Sequence, residues 1–256
     1  MKKIFIAALF LGAIFNSNFV LAQTETSGRQ EVYRATHAKV TELKHTKLKV
    51  NFDYQKEQMN GEEWLTASPY FYATNELTLD AKAMLIHEVA LDQNGKKSPL
   101  KFDYKDDVLK ITLDKTYQKN QEYTVYIKYT SRPNEVKQEG SAAISDAKGL
   151  YFINAQGKDA DKPTQIWTQG ETESSSAWFP TIDKSNQKTT QEIFMTVPDK
   201  YVTLSNGVMK SSEKSGNGLR TDHWVMDKPH STYLFFMGVG EYAIVKDKWR
   251  NIPVDY

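Results

Sequence analysis

The chain has 256 residues, with 33 Lys and Arg against 32 Asp and Glu, for a formal charge of +1. So even a balance gives no electrostatic case for nucleic-acid binding, and 39% hydrophobic with 25% charged residues marks a folding chain rather than a disordered one. It contains no cysteine, which excludes disulfides, thiolate metal sites, iron–sulfur clusters and a thiol nucleophile.

The first 22 residues read as an export signal. Lys2 and Lys3 precede the apolar run Ile4 to Phe15, and Val20-Leu21-Ala22 places a small residue at the cut. The run is too short for a comfortable bilayer span, and no second one follows. Cleavage after Ala22 is expected to leave 234 residues with a formal charge of −1. That length suffices for one large all-β domain or two small ones. The mature protein is expected to be soluble and free of the membrane, in the periplasm or outside the cell.

Residues 23–45 form a polar leader with a possible short helix over Glu31–Leu43, where Val32, Ala35, Val40 and Leu43 fall roughly on one side. From residue 46 onward strands dominate. Leu48-Val50-Phe52-Tyr54 and Tyr123-Val125-Ile127-Tyr129 alternate with mostly polar neighbours, the period-2 pattern of a half-buried strand. Further strands are expected at Tyr70–Leu79, Met84–Leu91, Val108–Leu113, Glu192–Val197, Asp222–Met226 and Thr232–Tyr242. Asn60-Gly61, Asn94-Gly95, Pro133-Asn134, Asn206-Gly207 and Asn217-Gly218 supply turn signals between them. Only Glu171–Ala177 shows any further helical period. The fold class is therefore all-β, a saddle-like antiparallel multi-sheet or β-sandwich domain over 46–256.

Two motifs are decoys. His87-Glu88 opens like H-E-x-x-H, but position 91 is Leu and the segment reads as a strand, whereas the zinc motif needs two His on one helix face. Gly238-Val239-Gly240-Glu241-Tyr242-Ala243 fits G-x-G-x-x-A, but no helix follows to aim at a pyrophosphate. There is no P-loop, no nucleophile elbow and no triad, so no complete active site is encoded in these residues.

The segment from Ile166 to Val197 is the most informative. Thr168, Gln169, Glu171, Glu173 and three serines precede Trp178-Phe179-Pro180 and Asp183. Two carboxylates and an amide on an aromatic-flanked loop allow two readings. One is a corner that pairs with a cationic group, where partial desolvation strengthens the ion pair. The other is a solvated connection whose glutamates face water.

The segment resembles the N-terminal domain of the aminopeptidase N family of zinc metallopeptidases, which includes the leukotriene hydrolases. The family pattern T-Q-x-E, then F-P-x-x-D and a Lys, corresponds to Thr168-Gln169-Gly170-Glu171, Phe179-Pro180-Thr181-Ile182-Asp183, and Lys184 or Lys188. Leu48–Asp53 is similar to the family's opening strand, and Leu77-Thr78-Leu79-Asp80-Ala81-Lys82 to its L-x-L-D-A pattern. Gly149-Leu150-Tyr151, Leu204-Ser205-Asn206-Gly207, Pro229–Leu234 and Val239–Tyr242 resemble later pieces, all in the family's order. Two departures stand out. Ser174-Ser175-Ser176 lies where the family often has Arg, and Thr181-Ile182-Asp183-Lys184-Ser185 replaces its usual C-x-D-E-P.

The resemblance implies a saddle-shaped β-domain that covers one side of a zinc active site and lends two residues to substrate binding. Glu171 would hold the substrate's free α-ammonium, Gln169 would line the same first-residue pocket, and Glu173 would be a solvated neighbour. Trp167 and Trp178 are expected to be packing residues. The partners implied are a peptide N-terminus and a catalytic domain of the same polypeptide. The zinc is implied for the parent enzyme, with no metal ligand and no catalytic residue in this chain. The family's G-x-M-E-N and H-E-x-x-H motifs are expected beyond Tyr256, so this chain should be inactive in isolation. The alternative is a stand-alone, non-catalytic β-sandwich binding or scaffold module, which as a scaffold should tolerate Glu171→Gln.

Overall fold

The computed structural model describes residues 35–137 and 147–256. The expected signal at 1–22 and the leader up to residue 34 lie outside the described residues. Strands account for nearly all the regular structure. The first eight are β1 Thr41–Asp53, β2 Gln58–Pro69, β3 Thr74–Asp80, β4 Met84–Gln93, β5 Lys96–Pro99, β6 Lys101–Lys105, β7 Val108–Tyr117 and β8 Tyr123–Ser131. After these come β9 Leu150–Ile153, β10 Gln165–Thr168, β11 Thr189–Pro198, β12 Val202–Ser205 and β13 Val208–Gly216. Last are β14 Leu219–His230, β15 Met237–Gly240, β16 Lys246–Trp249 and β17 Ile252–Asp255.

Eight strands form the largest sheet, in the order β13-β14-β11-β1-β2-β8-β4-β5. All its pairings are antiparallel except β1 with β11, which run parallel with Leu48 opposite Ile193. The expected antiparallel multi-sheet character holds, with this one parallel join inside it. A second sheet of four strands runs β12-β15-β10-β9, and β3-β7-β6 form a third. One apolar core joins these sheets, with Leu48, Leu65, Val125 and Ile127 from the large sheet, Leu77 and Leu109 from the three-stranded one, and Ile166 and Val239 from the four-stranded one.

Where the structure departs from the expectations, local chemistry explains why. The possible helix over 31–43 is not seen in its described part: residues 35–40 carry no regular structure, and 41–43 already belong to β1. A register irregularity between Leu43 and His45 shifts the parity of β1, so that Leu43 and Leu48 both face the core. That shift broke the alternation at the strand's start. Strand β2 was missed because two of its inward positions are Gly61 and Glu63, and because Asn60-Gly61 mimics a turn. The turn is actually at residues 54–57. Gly61 is needed there, since an added Cβ would lie 2.2 Å from the Tyr129 ring on β8.

Candidate functional site

The T-Q-x-E motif begins at the end of β10, an inner strand of the four-stranded sheet. Thr168 is buried, and its hydroxyl accepts the Met237 N–H from β15 at 3.0 Å. Gln169, half-buried, donates its backbone N–H to the Gly149 carbonyl at 2.9 Å. A single turn then closes when the Ser174 N–H reaches the Gly170 carbonyl at 2.8 Å. Glu171 lies inside that turn and is exposed. Among the described residues no hydrogen bond or ion pair engages its carboxylate. Gly170 anchors the turn, because an added Cβ would lie 2.4 Å from both the Ser175 hydroxyl and the Tyr233 carbonyl.

Beneath the turn, chain segments far apart in sequence grip one another. The end of β3 exchanges two backbone bonds with the F-P-x-x-D segment: Asp80 N–H to the Thr181 carbonyl at 2.7 Å, and Thr181 N–H back to the Asp80 carbonyl at 3.0 Å. Lys82 donates its backbone N–H to the Ser176 carbonyl at 2.7 Å and its ammonium to the Glu173 carbonyl. The Asp183 carboxylate accepts the Ser176 N–H at 2.8 Å, while the Asp183 N–H donates to the Asp80 carboxylate at 2.9 Å. From the opposite side, the Ser175 hydroxyl donates to the Thr232 carbonyl at 2.9 Å, and the Ser231 hydroxyl to the Ser185 carbonyl at 3.1 Å. Phe179 is fully buried and stacks on Phe235 at 5.3 Å, so the polar lattice rests on an apolar floor.

Electrostatics sort the acids of this corner. Burial pushes the Asp183 carboxyl up to about 6, with Asp80 adding to the rise; the bonds from Ser176 and the charge of Lys82 work against it. Burial pulls the Lys184 ammonium down, but the Glu173 carboxylate at 2.6 Å, with Asp80 and Asp183, outweighs it and leaves the pKa raised. Glu173 is therefore not the solvated neighbour expected: it is half-buried and ion-paired, and its role is to tie the turn to the segment after Asp183. Lys184, rather than Lys188, is the lysine that makes this contact.

A profile of the Peptidase M1 N-terminal domain matches residues 40–234, most of the chain. The chain belongs to that family. The fold of this M1 domain is similar to that of the M1 zinc metallopeptidase from Deinococcus radiodurans, with a TM-score of 0.68 and 16% identity. The match covers 84% of this chain and 46% of that one. It is equally similar to a two-domain M1 zinc metallopeptidase mutant bound to L-arginine (TM-score 0.69, 14% identity, 87% and 48% covered). Curated relatives include transcription initiation factor TFIID subunit 2 of Danio rerio, 23% identical over 231 residues, and of Gallus gallus, 21% identical. The chain thus spans about half of the solved peptidases and 19% of each curated relative, while 78% of it is covered.

Within this M1 domain the family pieces assemble at one place. Gly149 has φ +70°, and an added Cβ would lie 2.1 Å from the Ser174 carbonyl. The Asn206 amide caps the 3-10 turn after β14, donating to the Leu234 carbonyl at 3.0 Å and accepting the Phe236 N–H at 2.7 Å. Most of the quoted motif residues are architectural, while Gln169 is half-buried and Glu171 exposed. Ser174, Ser175 and Ser176 are all buried, so the serines that replace the family's Arg residues pack inward. Trp178 is fully buried against Phe179, and Trp167 stacks on Tyr151 at 4.4 Å, as expected of packing residues. Sequence reasoning missed Lys82, whose signal was its place directly after L-x-L-D-A.

Both decoys are strands. His87 lies in β4 with its Nε2 2.9 Å from the Thr130 hydroxyl, and Gly238–Gly240 complete β15 between β12 and β10. Among the described residues no group of three or more His, Asp or Glu is placed to hold a metal ion.

Proposed function

We propose that the chain is the substrate-anchoring β-domain of an exported, zinc-dependent aminopeptidase that releases N-terminal residues from peptides. Gln169 and Glu171 line the pocket for the first residue, and Glu171 holds its free α-ammonium. The observation that carries this reading is the turn itself: an exposed carboxylate, unengaged among the described residues, stands on a backbone packed at Gly170 and hydrogen-bonded through Ser174, Ser176 and Asp183. A carboxylate at a fixed distance from the scissile carbonyl measures off a single residue, which is what an exopeptidase requires. The M1 peptidases to which the fold is similar support a peptide substrate and a catalytic domain as partner. Among the described residues no group of side chains is placed to hold a zinc ion, and this reading assigns the metal and the chemistry it supplies to that catalytic domain. Export to the periplasm or beyond the cell is inferred from the signal-like pattern of Lys2, Lys3, the apolar run Ile4 to Phe15 and Ala22.

The test uses a polypeptide that carries this domain together with the M1 catalytic domain. Glu171→Ala removes a charge-assisted hydrogen bond worth about 1.5–3 kcal/mol, so kcat/KM for substrates with a free N-terminus should fall about 10- to 150-fold. N-acetylated substrates should show no comparable loss. Near-normal kinetics on free amines would reject the role. One observation favours a second reading, a non-catalytic binding or scaffold module: two curated relatives are by name transcription initiation factor subunits. A scaffold would tolerate Glu171→Gln without loss.

A further inference from the structure

The corner that presents Glu171 rests on a titratable group that anchoring leaves unused. Asp183 is 2% exposed, and its carboxylate accepts the Ser176 N–H at 2.8 Å. Ser176 belongs to the short 3-10 turn Ser175–Ala177, which follows directly on Ser174, the residue that closes the Glu171 turn. A hydrogen bond to an ionised acceptor is roughly twice as strong as a neutral one, so the charge on Asp183 determines how firmly this turn is held.

We propose that Asp183 is a positioning residue for Glu171: its ionised carboxylate holds the Ser175–Ala177 turn, and with it the Gly170–Ser174 turn, in the geometry that receives an α-ammonium, so amine binding weakens when Asp183 takes up a proton. The inference rests on the anchoring role assigned to Glu171. The groups facing Asp183 are few. Asp80 comes from β3 and Lys82 from just beyond it, Lys184 follows in the chain, and Glu173 lies behind Lys184. The β14 side contributes the neutral Ser231 and Thr232, bonded to the Ser185 and Ile182 carbonyls. His230 lies on Phe235, with its Nδ1 against the Lys228 carbonyl. With burial holding the Asp183 pKa up to about 6, protonation falls between about pH 5 and 7. A substrate α-ammonium, with a pKa of about 7.7–8.0, stays charged throughout that range.

Two measurements test this. In the chain alone, amide NMR shifts of Ser176 and of Gly170–Glu173 should titrate together with a midpoint near 6, and Asp183→Asn should abolish that titration while keeping the acceptor oxygen. In the polypeptide with the catalytic domain, KM for free-amine substrates should rise about tenfold from pH 7.5 to pH 5, and the Asp183→Asn profile should be flat over that interval. Asp183→Ala, which removes the acceptor, should raise KM at every pH. A titration that reaches Ser176 but not Gly170–Glu173 would overturn the coupling. An intact Glu171→Ala effect with a KM profile unmoved by Asp183→Asn would reject this inference alone. Absence of any Glu171→Ala effect would mark failure of the anchoring role beneath it.

Discussion

Asp183 and Glu63 are both carboxylates shut away from water, at 2% and 0% exposure, and their surroundings are opposite. Asp183 sits among donors: the Ser176 N–H binds it, and Lys82 lies close enough to favour its charge. Glu63 sits on the inward face of β2, opposite Leu48 on β1 and Ile127 on β8, and among the described residues neither of its oxygens has a hydrogen-bond partner. Its titratable neighbour is Tyr129, also buried and also without a partner for its hydroxyl. Burial alone pushes the Glu63 carboxyl well above its ordinary range, so it stays neutral at pH values where an ordinary carboxyl is already ionised. The difference shows what a polar lattice does: it keeps a buried acid within reach of titration, whereas a bare apolar sheet makes one a liability.

That comparison can be broken at its floor. Phe179→Ala removes the ring that stacks on Phe235 under the corner and should cost about 3–5 kcal/mol. Thermal unfolding should then fall by about 6–20 °C, and a smaller loss would mean that the polar bonds, not the apolar floor, hold the corner. The large sheet offers the opposite sign. Glu63→Met replaces an unpartnered buried acid by an apolar side chain of similar length and should stabilise the protein by about 1–3 kcal/mol at neutral pH. The folded pKa of Glu63 is raised above its unfolded value, so its favourable contribution is complete below about pH 4 and is lost as pH rises towards the folded pKa. The gain from Glu63→Met should therefore grow with pH, and urea unfolding at pH 4 and pH 7.5 would measure it. A gain that is equal at both values would remove burial as the cause. The smallest effect belongs to the rim. The Glu173–Lys184 pair has side chains 40% and 24% exposed, so Glu173→Gln should cost only about 0.2–1 kcal/mol in a denaturant titration, less at high salt.

Legibility in the sequence followed the reach of each signal. Strands with clean alternation, such as β8 and β11, were visible because period 2 is a local property. The start of β1 was hidden by the shift at Lys44, and β2 by Gly61 and Glu63, which present no apolar side chain where the pattern demands one. Four-residue strands such as β9, β10 and β12 are too short to alternate visibly, and they gain their partners only from the sheet they join. In the candidate corner, Gln169 and Glu171 were reached through the order of motif pieces rather than through any geometric signal. Glu173 was misjudged because its partner Lys184 lies across the whole serine turn.

By itself, then, the sequence settled the all-β class and the ordered motifs that belong to the M1 family, because alternation, turn residues and motif order are written in neighbouring positions. The tertiary structure decided the parallel join of β1 to β11, the grip of Asp80 and Lys82 on the Phe179–Asp183 segment, and which acid is exposed, paired or bare. Those outcomes depend on segments many residues apart meeting in a shared core, and no local pattern encodes which buried group will find a donor when they meet.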